Sequence, residues 1–186
     1  MKKAVGSLLS VPTQQQLEEI RARLTSKLLD EMIKSALNFC HLRSQISILE
    51  IIEKLAADDQ WTNSTFRYAL AKKISNVVAR LPGVRGMYLY GSVMEDTARS
   101  RSGIDIILHV EAEKAPYKEL MAWLDGQLTA SFRKLLKIND MKNLLNVHIV
   151  TDADVDRREG YAALLLSMNT PLTRLRNYPA SDTDHA

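Results

Sequence analysis

Asp105 is an acid set inside a run of branched apolar residues, Ile104, Ile106, Ile107 and Leu108. Placing a carboxylate among such neighbours is costly unless it has a partner or a task. In an extended strand, residues i and i+2 share a face, so positions 103 and 105 lie about 6.5 Å apart on one side. Two carboxylates at that spacing can hold divalent ions. Two ions about 3.5–4 Å apart can clamp the attacking and leaving oxygens of a phosphoryl transfer. The preceding apolar run closes on Gly91-Ser92. A glycine there lets a phosphate approach the backbone closely, and Ser92 offers a hydroxyl and an amide to phosphate oxygens. Position 103, however, is glycine, and glycine supplies no ligand.

The register of these residues resembles the nucleotidyltransferase superfamily related to DNA polymerase beta, in its small, bacterial, minimal form. The matching segments are "LYGS" at residues 89–92, "TAR" at 97–99 and "SGIDIIL" at 102–108, followed by "NVHIV". The resemblance covers roughly residues 83–175. It implies ATP or another nucleoside triphosphate and Mg2+ as cofactors. It implies transfer of a nucleoside monophosphate to a hydroxyl acceptor, with Gly91 and Ser92 on the phosphates. Asp105 would be the catalytic and metal-binding carboxylate. The departures are as specific as the matches. Gly103 stands in place of the first metal-binding acid, His148 in place of the third, and Asp96 where the family's loop usually has glycine. A catalytically inactive family member, serving as a protein-interaction or nucleotide-binding module, is therefore the alternative to an enzyme of reduced activity. Glu95, Asp96, Asp152 and His148 are the candidates to replace the missing ligands.

Other polar residues have plainer readings. His109 shares the Asp105 face by parity and reads as a part-buried, hydrogen-bonded side chain. Arg99 and Arg101 flank the loop, where they could meet phosphate oxygens or only solvent. Tyr88 and Tyr90 alternate with Met87 and Leu89 and so cover the second face of their strand. Lys72, Lys73 and Arg80 form a basic helix edge, which reads as a wet face.

The elements that must position Asp105 follow from changes of period. Leu17, Ile20, Leu24, Leu28, Met32 and Ala36 recur at helical spacing and predict one helix over residues 14–40. Glu19 with Arg23 and Asp30 with Lys34 are its i,i+4 pairs. A second helix covers residues 44–57, with Ile48, Ile51, Ile52 and Leu55 inward. A third, capped by Asn63 or Ser64, turns Phe66, Leu70, Ile74, Val77 and Leu81 inward and ends at Pro82-Gly83. Residues 84–90 and 104–110 then read as strands, 115–138 as helix, 144–150 as strand and 154–169 as a last helix stopped near Pro171. The fold class is α+β: a nucleotidyltransferase-like mixed sheet backed by helices and preceded by an N-terminal helical region. The expected division is 1–82 helical, 83–178 nucleotidyltransferase-like and 179–186 a disordered tail. Residues 46–74 could also form a helix-turn-helix. Their connection is longer than the usual turn and carries few base-reading side chains, so DNA is not an expected partner.

The chain has 186 residues, 46% hydrophobic and 25% charged, with a net charge of +3. That is the composition of a globular domain. One cysteine, Cys40, excludes an intrachain disulfide and reads as a buried thiol. The opening "MKKAVGSLLSVP" has too short an apolar run for a signal peptide, and no run reaches membrane-spanning length. A cytoplasmic protein is expected, with nucleotide as ligand. The N-terminal helices offer a surface for a protein partner or a second copy.

Overall fold

The computed structural model describes residues 10–167 and 172–177. Helices α1 (Gln14–Arg23), α2 (Ser26–Ser44), α3 (Ile48–Ala56) and α4 (Gln60–Val78) precede strand β1 (Val84–Tyr90). A single 3-10 turn (Gly91–Val93) and a loop lead to β2 (Ile104–Val110). Then come α5 (Ala115–Leu136), β3 (Leu145–Thr151), α6 (Asp152–Arg157), α7 (Ala162–Leu165) and β4 (Leu172–Asn177). The sheet order is β3-β2-β1-β4, with β2 and β3 parallel and the other pairs antiparallel. This is the α+β architecture expected from the sequence, a mixed sheet with helices in front of it.

The strands split cleanly by parity. Ile104, Ile106, Leu108 and Val110 are fully buried in the main core, which also takes in Phe66, Leu70, Ile74, Leu124 and Leu128 from the helices. The same core runs without a break from Leu17 to Leu175, across position 82. The opposite face carries a small second cluster, in which Ile107 and Val150 meet Ala162, with Tyr88 and Tyr90 packed beside them.

Several local expectations are corrected. The first helix is two: Leu24 leaves the helical region, and Thr25 caps a new helix by accepting from the Leu28 N–H. The break shifts the inward face, so Leu29, Ile33 and Leu37 are buried while Leu28 is exposed. Asp30 pairs with Lys134 of α5 rather than with Lys34, which meets Glu31. Asp59, not Asn63 or Ser64, caps α4 through the Thr62 N–H. Asn63 and Ser64 lie inside the helix and are buried.

The last predicted helix is two short ones separated at Arg158, which is left-handed at φ 55°, and Gly160 at φ 52°. Its expected end at 168–169 and the stop at Pro171 lie outside the described residues, as does the tail 179–186. The strand at Leu172–Asn177 was not expected, and it pairs with β1. α4 is a central helix with eleven buried residues. Among the described residues, no helix is long and apolar enough to cross a membrane.

Candidate functional site

β1 ends at Tyr90, whose cross-strand partner is Asp105. The chain then turns at Gly91 with φ +69°, a conformation that disfavours any residue with a Cβ. A Cβ built on Gly91 would lie 2.6 Å from Asp105 Oδ2, closer than real contacts allow. Glycine is thus required twice, for the turn and for the space the carboxylate fills. Ser92 follows in the 3-10 turn, where its carbonyl accepts the Thr97 N–H at 2.9 Å. The structure therefore brings Asp105, Gly91 and Ser92 to one end of the sheet. Asp96, in the position where glycine was the familiar residue, also adopts the left-handed region at φ 54°, which aspartate tolerates better than most side chains.

β3 supplies the other neighbours. Asn146 is in register with Asp105, and its Nδ2 donates to Asp105 Oδ1 at 2.8 Å. Sequence reasoning passed over Asn146. The available signal was parity: it lies two residues before His148 and so shares that face. His148 lies opposite Ile107, with its ring stacked on Tyr161 at 3.5 Å between centroids and 17° between planes. Tyr90 stands 6.4 Å from the His148 ring and 6.2 Å from Tyr161. The His148 Nε2 is buried with no hydrogen-bond partner among the described residues. Burial lowers the His148 pKa, and the nearby Asp105 charge opposes that only in part. The Tyr90 hydroxyl is pushed upward, first by burial and then by Asp105 and Tyr161.

The other candidates lie elsewhere. Asp152 opens α6 beyond the far end of β3, and β2 runs five residues from Asp105 to Val110 opposite Thr151, roughly 16 Å at strand rise. There Asp152 takes His109 Nε2 at 2.7 Å and Arg85 at 3.2 Å, so neither it nor His109 joins Asp105. Glu95 and Asp96 are exposed on the loop, and Asp96 lines a groove against α2 and α4. Arg101 pairs with Asp140 on the surface. Among the described residues, no three His, Cys, Asp or Glu side chains gather as a metal site. A Cβ at Gly103 would meet only ordinary contacts, the nearest at 3.7 Å to Asn143 O and Asn146 Cβ. Nothing at the Cβ position therefore forces glycine at position 103.

What holds this end of the sheet in place comes from α4. The Arg67 side chain is fully buried and donates to Ser102 O at 2.7 Å and Ser100 O at 2.8 Å. It also donates to Asn63 Oδ1, and Asn63 in turn donates to Leu55 O and Asp59 O. Ser64 Oγ accepts the Ala98 N–H, and Asp58 accepts the Ser100 N–H. The loop between Ser92 and Asp105 is thus fastened to α4 at Ala98, Ser100 and Ser102. Burial lowers the Arg67 pKa to about 10, and the Asp58 charge opposes the shift. Arg67 was missed in the sequence because a lone arginine at a helical position looks like any surface cation.

Residues 72–155 match the family model described as "Polymerase beta, Nucleotidyltransferase". No curated protein and no solved structure matches the chain.

Proposed function

We propose, from the match of residues 72–155 to this family model, a nucleotide-binding module of the nucleotidyltransferase superfamily that has lost magnesium-dependent transfer. One observation carries the reading: Asp105 faces an amide, Asn146, where a metal site needs further anionic oxygens. Magnesium takes oxygen ligands in near-octahedral geometry. Gly103 offers none and His148 offers a nitrogen, a donor that suits other metals better. These residues do not fit a two-ion magnesium site.

The Asn146 amide satisfies one carboxylate oxygen directly, so the Asp105 charge is stabilised without a cation. Gly91 and Ser92 keep the turn on which phosphate would rest. The test is restoration. Gly103→Asp combined with Asn146→Asp rebuilds an acidic cluster, and a Cβ at position 103 meets only ordinary contacts. Transfer of a radiolabelled nucleoside monophosphate should be absent for the natural chain and gained by the double variant. Magnesium-dependent transfer by the natural chain, lost in Asp105→Asn, would overturn the reading.

A further inference from the structure

Away from Asp105, α2 and α4 pack antiparallel and leave a groove on their solvent side. Two adjoining cavities of about 280 and 250 Å³ make it up, and both are lined by Phe39 and Tyr68. One end holds Lys72 and Lys73. The other holds Arg43 and Trp61 and abuts Val93, Met94 and Asp96 beside the Gly91–Val93 turn. From Trp61 to Lys72 along α4 is roughly 17 Å at helical rise.

Two features of this groove call for a ligand. Among the described residues, Arg43, Lys72 and Lys73 make no salt bridge, so their charges are open to an anion. The aromatic rings lie between these cations: Arg43 sits 5.8 Å over the Phe39 ring and Lys72 5.8 Å over Tyr68. Trp61 is 43% exposed at the groove's end. Cations at both ends of a groove with aromatic faces between them suit a flexible polyanion with flat groups, namely a single nucleic-acid strand.

Asp96 narrows the choice. Among the described residues it is the one acid lining the groove, and it would repel a phosphate. A carboxylate is nevertheless a good acceptor for a ribose 2′-hydroxyl, which RNA has and DNA lacks. We propose that the α2–α4 groove binds single-stranded RNA, with Arg43, Lys72 and Lys73 on phosphates, Trp61 stacked on a base and Asp96 on a ribose. This goes beyond the nucleotide site and does not depend on it.

The test is fluorescence anisotropy of the full chain with a labelled 12-nucleotide single-stranded RNA. Three phosphate contacts predict a log–log salt slope near −2, a loss of about twentyfold in affinity between 50 and 200 mM salt. The triple variant R43Q/K72Q/K73Q should abolish the binding. Trp61→Ala should weaken it about tenfold and leave the salt slope unchanged. DNA of the same sequence should bind more weakly than RNA, and Asp96→Asn should shrink that difference. Saturating ATP should leave RNA binding intact, which separates this site from the nucleotide site. All the groove substitutions fall on exposed side chains, so the fold is retained. No RNA binding at 50 mM salt would overturn the proposal, as would RNA binding indifferent to the triple variant. Equal affinity for DNA, or a Glu-rich helical peptide bound in preference to RNA, would overturn it too.

Discussion

Asn146 and Asp105 stand opposite each other on parallel strands, joined by an amide-to-carboxylate hydrogen bond of 2.8 Å. In a metal-dependent site the partner of such an acid would be another acid, held beside it by the shared cation. Here the pair is complementary without one. The Asn146 amide donates to one Asp105 oxygen, and the absence of a side chain at Gly91 leaves room for the other.

Gly91→Ala tests that turn. The added methyl meets Asp105 Oδ2 and the backbone sits at φ +69°, so both sterics and conformation oppose it. The left-handed conformation alone costs about 1–2 kcal/mol for a residue with a Cβ. Urea unfolding should show a loss of at least that size. Ser92→Ala, at the next position, should change stability little.

Arg67→Met tests the fastening of the loop. It leaves the carbonyls of Ser100 and Ser102 buried without their donor. Losing hydrogen bonds to a buried cation costs about 1.5–3 kcal/mol each, so a destabilisation of roughly 3 kcal/mol or more is expected. Hydrogen exchange at residues 97–102 should rise with it. A variant as stable as the parent would show that α4 does not hold the loop.

Cys40 is fully buried, and burial raises its thiol pKa to about 12. Only the thiolate reacts with alkylating reagents. At pH 8 the native chain should resist iodoacetamide and react fully once unfolded in urea. The raised pKa also makes stability fall as pH climbs above 9, because the unfolded thiol ionises first.

His148 sets a pH dependence on the acid side. Its folded pKa lies below the ordinary value of 6.5, so near and below that pH the unfolded state binds more protons. The His148 contribution to stability is complete above pH 6.5 and declines as pH falls through the depressed folded value. His148→Gln should flatten this part of the stability profile. An unchanged profile would remove His148 as its source.

The strands were legible because the alternation at Ile104, Ile106, Leu108 and Val110 has only one geometric reading. The placement of Asp105 beside Gly91 was implied by the resemblance to the nucleotidyltransferase register, and parity gave only the face it shares. What stayed hidden depended on contacts distant in sequence. Arg67 lies 35 residues from the carbonyl of Ser102 that it holds, and no local pattern announces the bond. Asn146 lies 41 residues from Asp105. The break at Leu24 was masked because apolar spacing continues through it, and only Thr25 as a cap marks it. The segment 172–177 has too little alternation to distinguish strand from tail, and pairing with β1 decides the matter.

The central claim is that Asp105 works without a metal ion, and titration calorimetry with ATP tests it most directly. The predicted result is the same affinity with and without magnesium, and no weakening in Asp105→Asn, since a lone carboxylate only repels phosphate. A tenfold or greater tightening by magnesium that disappears in Asp105→Asn would contradict the account.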